Sequence, residues 1–319
     1  MTLADDHPDK LKEDLLRWVE QNKDRGLDWF LDEGPVAAIE NSPSEKSAAV
    51  AAEIAAPPVE TPAEAPLETP AARPTVDIPA PQPAPPINNP EFKEECGLFV
   101  KTALGLMQRQ PALQSAVDPL MEKFQGDPRQ ALKELRDEVL PCHLCSLAKS
   151  RTQVVFGAGS AHARVMFIGE APGRDEDLQG VPFVGASGQL LTKIIEAIGF
   201  DRRHIFIGNI LKCRPPGNRD PLPDEVQACE TYLKRQLAII KPRIICCLGR
   251  VAAQTLLGSE DSLGKLRQAV HFYEGIPVMA TYHPAALLRN PAWKRDTWND
   301  VRRLRALYDA LEKNNPATR

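Results

Sequence analysis

In residues 9–32, DKLKEDLLRWVEQNKDRGLDWFLD, apolar side chains recur at Leu11, Leu15, Trp18 and Val19. That is the spacing of one helical face, and with Asp9 near its start and Gly26 as a stop it predicts a short amphipathic helix, extended by a turn through Leu27, Trp29 and Phe30. The pattern then lapses. Residues 51–90 hold 12 of the 30 prolines, many alanines, no glycine and no aromatic residue. Such a segment cannot bury a core and reads as an extended, polyproline-rich linker. Helical spacing returns in EFKEECGLFVKTALGLMQ and DPRQALKELRDEVL. Beyond these, four short apolar runs read as strands: Arg164–Ile168 (RVMFI), His204–Ile207 (HIFI), Arg243–Leu248 (RIICCL) and Ile276–Ala280 (IPVMA). Helical stretches such as GQLLTKIIEAIGF and DEVQACETYLKRQLAII separate them.

Unbroken apolar strands alternating with helices predict an α/β fold of three layers, α/β/α, around a central, mostly parallel four-stranded sheet. A disordered N-terminal extension is expected to precede it. The organisation expected is an amphipathic segment at 1–33, a Pro/Ala-rich linker at 34–90, a helical lead-in at 91–138 and the main domain at 139–319.

The 319 residues are 43% hydrophobic with a net charge of −4, which excludes a strongly basic DNA-coating protein. No run of about 18 apolar residues offers a membrane span, and the acidic start MTLADDHPDK is unlike a signal peptide. A cytoplasmic protein is expected, with no membrane partner. The mean charge conceals a split: residues 1–90 sum to −10 and residues 91–319 to +6. Bases gather at Arg202, Arg203, Lys212, Arg214 and Arg219, and again at Arg289, Lys294, Arg295, Arg302, Arg303 and Arg305. Each run is either a solvated face or a seat for a polyanion.

In an open α/β sheet a ligand binds beyond the carboxyl ends of the strands. Gly169-Glu170-Ala171-Pro172-Gly173 follows the first strand here, and then come Glu176 and Gly180-Val181-Pro182-Phe183-Val184-Gly185. Gly208-Asn209 follows the second and leads into Lys212-Cys213-Arg214-Pro215-Pro216-Gly217-Asn218-Arg219. Gly249-Arg250 follows the third and Thr281-Tyr282-His283-Pro284 the fourth. A lone His-Pro is usually a turn and a lone Asn a cap, but carboxylate, aromatic, amide and imidazole at successive strand ends mark a site. No Gly-Lys-Ser/Thr ending or dinucleotide fingerprint is present, so an NTPase or a dehydrogenase is disfavoured.

Seven cysteines, an odd number in a reducing compartment, argue against a disulfide framework. Cys142 and Cys145 form a C-x2-C pair, with Cys213 and Cys229 further along in loop and helix-start settings. Cys96, Cys246 and Cys247 sit in a helix and a buried strand, where thiols behave as small hydrophobes. Four thiolates suit either tetrahedral zinc or an iron–sulfur cluster, and spacing does not separate the two.

From about Leu132 to Leu307 the chain resembles the family 4, iron–sulfur, branch of the uracil-DNA glycosylase superfamily. The resemblance is carried in order by GEAPGRDEDLQGVPFVGASGQLL, GNILKCRPPGNRDP, KPRIICCLGRVAAQTLLG and TYHPAALLRNP. It implies a [4Fe–4S] cluster on Cys142, Cys145, Cys213 and Cys229. It also implies excision of uracil from single- or double-stranded DNA, leaving an abasic site. Among the matching positions, Asn209 reads the base edge, Phe183 stacks on it, and His283 donates to uracil O2 as the base departs. Glu170 lies in the uracil and water pocket. The expected substrate-binding set is Glu170, Ala171, Glu176, Phe183, Asn209, Asn218 and His283, with Glu170, Asn209 and His283 catalytic.

Ala171 stands where the best-known branch carries an aspartate, so a dissociative path with an oxocarbenium-like sugar is expected, with Glu176 or Asn218 positioning the water. Gly173 stands where that branch excludes thymine with a tyrosine. Arg214, Arg219 and Arg289 are expected on phosphates. Leu287 or Leu288 is the candidate wedge for the gap left by the base. A monomer is expected, and the N-terminal helix is either a handle for a repair or replication protein or a weakly docked ornament. The rival to an enzyme is a noncatalytic damage-binding or polymerase-associated module with an iron–sulfur or zinc site. A zinc-stabilised nucleotide-binding protein is the third reading.

Overall fold

The computed structural model describes residues 90–109 and 118–314. The chain divides into two units, Met1–Pro79 and Ala80–Arg319. The N-terminal helix, and the linker up to residue 89, lie outside the described residues.

Among the described residues three helices lead in. Pro90–Met107 (α1) is followed by the short Pro119–Lys123 (α2) and by Pro128–Val139 (α3). Both later starts are written in the sequence as Asp-Pro. The Asp118 side chain accepts from the Leu120 amide at 2.9 Å and Asp127 from the Arg129 amide at 2.9 Å, while each proline takes the first helical position, where no N–H is needed.

Among the described residues the sheet has six strands. Ala158–Gly159 (β1), Val165–Gly169 (β2), Phe206–Asn209 (β3), Ile244–Leu248 (β4), His271–Tyr273 (β5) and Ile276–Thr281 (β6) lie in the order β1-β3-β2-β4-β6-β5. The inner four, β3-β2-β4-β6, are parallel, as expected from the apolar runs. The outer two are antiparallel edges that the expected four-stranded sheet lacked. Two or three residues, none of them fully buried, carry too little pattern to register as strands. Every residue of β2, β3, β4 and β6 is buried, so helices and loops cover both faces.

Between the strands run Arg174–Gln179 (α4), Ala186–Ala197 (α5), Pro223–Ile240 (α6), Arg250–Leu257 (α7) and Leu263–Leu266 (α8), and after β6 come Pro284–Arg289 (α9) and Lys294–Asn314 (α10). The expected 91–138 lead-in is not set apart from the rest. Leu132, Leu135 and Val139 of α3 share one apolar core with Leu233 and Leu237 of α6 and with Met166 and Ile168 of β2. Helix α1 packs against α10. Among the described residues no helix is long and apolar enough to cross a membrane.

The chain runs outward from β2 to β3, then returns past β2 to β4 and β6. That reversal puts the carboxyl ends of β2 and β3 beside one crevice, the place where open α/β sheets bind ligands.

Candidate functional site

At this edge an open cleft brings together all seven residues expected to bind the substrate: Glu170, Ala171, Glu176, Phe183, Asn209, Asn218 and His283. Asn209 ends β3 in register with Gly169 of β2, and its residue surface is only 2% exposed. Its Oδ1 is buried and has no hydrogen-bond partner in the protein. A buried acceptor without a donor costs about 1–3 kcal/mol, and this atom can accept from a donor that enters the cleft. Gly169 is required beside it. A Cβ there would lie 2.4 Å from Asn209 Oδ1 and 2.8 Å from the Phe183 ring.

Phe183 is buried, and its backbone sits at φ 54°, in the left-handed region that bulky residues avoid. Holding it there costs about 1–3 kcal/mol. The compensation is visible on both sides of the residue. The Arg202 guanidinium donates to the carbonyls of Pro182 at 2.7 Å and of Phe183 at 2.8 Å. The Glu176 carboxylate accepts from the amides of Val184 at 2.9 Å and Gly185 at 3.2 Å, and from Gly173 at 3.1 Å. Each such charge-assisted bond is worth about 1.5–3 kcal/mol, so together they outweigh the strain. Gly188 completes the arrangement, since a Cβ there would fall 1.9 Å from the Phe183 carbonyl oxygen. Thus Glu176 lines the cleft with both carboxylate oxygens accepting from backbone amides.

His283 caps α9, and its Nδ1 accepts from the Ala285 amide at 3.1 Å. The proton of the neutral ring is therefore on Nε2. Its ring lies 5.4 Å from that of Phe183, tilted by 32°. Burial, with the nearby Arg289 charge adding to it, pulls the imidazole pKa down to about 4. His283 is thus a neutral N–H donor, not a cation. The strand that delivers it is anchored below: the Thr281 hydroxyl donates to Asp300 at 2.7 Å, as does Arg267 Nε at 2.6 Å. The Arg267 guanidinium covers the Tyr282 ring, which stacks on Trp293 with centroids 4.6 Å apart. Glu170 is half-buried, and its carboxyl is raised above the ordinary range by burial first and by the Asp220 charge second, against the pull of Arg250. Ser187, Asp220 and Ala285 also line or shape this cleft, and no pattern in the sequence pointed to them.

The basic runs divide once their partners are known. Arg289 is exposed at the rim of the cleft. Arg214 Nε donates to Asn218 Oδ1 at 2.7 Å and so holds a wall residue. Arg219 also lines the cleft, but its guanidinium is engaged by the fully buried Glu225 at 2.6 and 2.9 Å. Lys212 is 1% exposed, and its ammonium donates to the Asn209 carbonyl at 2.8 Å and to Gln236 at 2.7 Å. Arg305 is buried against Asp309 and the carbonyl of Ile198. Arg302 covers the Phe92 ring and Arg303 pairs with Glu95, which fastens α1 to α10. Much of both runs is therefore internal cement rather than a seat for a polyanion. Leu287 is 0% exposed and cannot be a wedge, whereas Leu288 beside it is only partly buried.

A second, smaller cavity is lined by Cys142, Cys145, Cys213 and Cys229 together with Val139, Val154 and Tyr232. Arg151 Nη1 donates to Cys213 Sγ at 3.3 Å and the Lys212 amide to Cys229 Sγ at 3.3 Å. Burial raises both thiols, Cys229 to about 11. Thiolates here would need a cationic group to face them. Among the described residues no group of three or more His, Cys, Asp or Glu is arranged to hold a single metal ion; the four thiols stand around a cavity instead. Cys96, Cys246 and Cys247 are buried elsewhere, as expected of core thiols.

A family model described as the uracil DNA glycosylase superfamily matches residues 156–302. The chain is 43% identical over 183 residues to a type-4 uracil-DNA glycosylase of Archaeoglobus fulgidus, covering 55% of this chain and 92% of that one. It is 43% identical over 186 residues to one from Sulfurisphaera tokodaii, covering 56% and 84%. It is 44% identical over 180 residues to one from Saccharolobus solfataricus, covering 54% and 83%. With the cleft, the strand-end residues and these relatives in agreement, the chain belongs to the type-4 uracil-DNA glycosylases, within the uracil DNA glycosylase superfamily.

Proposed function

We propose that this protein removes uracil from DNA by hydrolysing the N-glycosidic bond, releasing free uracil and leaving an abasic site. The observation that carries the reading is the buried, unpartnered Oδ1 of Asn209 in a cleft shared with Phe183 and His283. A base rotated out of the helix presents its Watson–Crick edge to such a pocket. Uracil offers an N3–H for the Asn209 oxygen and an O4 for its amide hydrogens, whereas cytosine presents the reverse pattern. Phe183 supplies the stacking face.

In the reaction the C1′–N1 bond breaks and its electron pair leaves with the base. The neutral Nε2–H of His283 donates to uracil O2, where that charge accumulates, and a donor fixed in advance gains most from such a change. Water then adds to C1′ and loses a proton to the medium. No carboxylate at position 171 can activate the water beforehand, so the sugar develops cationic character first. The raised, half-buried Glu170 is the carboxylate at hand to face it.

Arg289 at the rim is the phosphate contact the structure supports best, with Arg214 acting partly through Asn218 and Arg219 braced by Glu225. The four cysteines around one apolar cavity, with donors already aimed at two sulfurs, fit a [4Fe–4S] cluster. Such a group, when bound, would supply the positive charge that keeps the four thiols ionised, Cys213 and Cys229 among them buried, and would tie the segment before β1 to the loop after β3. A reducing, cytoplasmic setting suits such thiols.

The test is base release from an oligonucleotide carrying one uracil, single- or double-stranded, followed by alkaline cleavage at the abasic site. Cleavage that falls about 100-fold or more in Asn209→Ala is expected, the scale for loss of a preorganised polar contact. Cluster-loaded protein that leaves both substrates intact would refute the reading.

A further inference from the structure

The left-handed backbone of Phe183 sets a requirement that the pocket residues do not meet by themselves. A ring that stacks on an entering base must be in place before the base arrives, yet its own backbone prefers to relax. Arg202, in the connection between α5 and β3, answers this from behind. One nitrogen of its guanidinium reaches the carbonyls of Pro182 and Phe183, at 2.7 and 2.8 Å. The other reaches the Thr192 hydroxyl at 2.8 Å and the Gly188 carbonyl at 3.3 Å, both on α5. A planar fork with five donors can bridge loop and helix in this way, and a lysine ammonium cannot. Arg202 does not line the cleft, so it is free of any direct duty toward the base.

We infer that Arg202 is a positioning residue for base recognition, which locks the Phe183 loop to α5 and so presets the stacking ring. This rests on the reading of the cleft as a uracil pocket. Glu176 holds the following amides from the opposite side, so the loop is gripped by its carbonyls and by its amides at once. With Arg202 gone, the ring loses its fixed pose while every group in the cleft remains.

The experiment is a double-mutant cycle on single-turnover uracil release, using Arg202→Met, Phe183→Leu and the pair. A merely structural arginine would slow the Phe183→Leu enzyme as much as it slows the unaltered one. A positioning arginine loses its effect once the ring is absent. Arg202→Met is expected to slow release roughly 10- to 100-fold, the scale of a displaced reacting geometry, and to weaken inhibition by free uracil in parallel. It should add little to Phe183→Leu, and Arg202→Lys should recover only part of the loss. Multiplicative effects would overturn the inference. Should Arg202→Met fail to fold, Arg202→Lys goes through the same cycle with the same two outcomes. Absence of uracil release by the unaltered protein would sink the reading of the site, and this inference with it; release with independent effects would sink this inference alone.

Discussion

The protonation state of His283 sets how it can act on a departing base. Burial and Arg289 hold the imidazole near pKa 4, against about 6.5 for a free histidine. At pH 7 that leaves roughly one ring in a thousand protonated, where an ordinary histidine would be near one in four. The donor to the leaving base is then neutral at every working pH, so its contribution should not titrate. His283→Ala should lose about 100- to 1000-fold in single-turnover release, or about 2.7–4 kcal/mol, as for one preorganised donor. The assay is that rate from pH 5.5 to 8 for both proteins on one oligonucleotide. Because Glu170 titrates in both, the ratio of the two rates isolates His283 and should be flat. Arg289→Ala removes the lesser cause of the depression and leaves burial, so its ratio should stay flat above about pH 6. A ratio that rises on acidification with a midpoint near 6.5 would show an imidazolium donor and refute the argument. A second consequence has a definite sign. Between pH 4 and 6.5 the unfolded chain binds a proton at His283 that the folded one does not, so stability is lost as pH falls through that window, and less so in His283→Ala.

Three further outcomes follow from the site. Glu170 has a raised carboxyl, so uracil release should fall as pH drops through that raised value and the acid limb should vanish in Glu170→Gln, which is expected to be slower by 10- to 100-fold; an unchanged limb would assign it to another group. Arg289→Ala should lower the slope of log affinity against log salt by about one without loss of stability, while Arg219→Ala should cost roughly 2 kcal/mol in denaturant melts by leaving Glu225 buried without its partner. With the proposed [4Fe–4S] cluster in place, Cys142→Ser should abolish the brown absorbance near 400 nm that such a cluster would give and lower the thermal midpoint, whereas Cys246→Ala, in the core of β4, should keep that colour; equal colour in both would exclude Cys142 as a ligand.

Much of the fold could be read along the chain. RVMFI and RIICCL predict buried parallel strands because a strand covered on both faces must be apolar at every position, and β2 and β4 are. Asp127-Pro128 marks a helix start because capping is a matter of adjacent residues. The expected site was also legible, since strand ends in this topology must meet at one edge, and Glu170, Asn209 and His283 each stand there. The edge strands β1 and β5 escaped because two or three half-buried residues have no period.

What the tertiary structure alone decided is the employment of each polar group. Arg202, Lys212, Arg219 and Arg303 look alike as surface bases, yet their partners are the Phe183 loop, the Asn209 carbonyl, Glu225 and Glu95, the last lying 208 residues away in sequence. Glu176 reads as a cleft acid and proves to be backbone support, and Leu287 reads as a wedge and proves to be core. Apolar pattern is local and survives in one dimension, because burial repeats with the period of the element. Hydrogen bonds and ion pairs are satisfied across the fold, so a charge acquires its meaning only from the residue that folding sets opposite it.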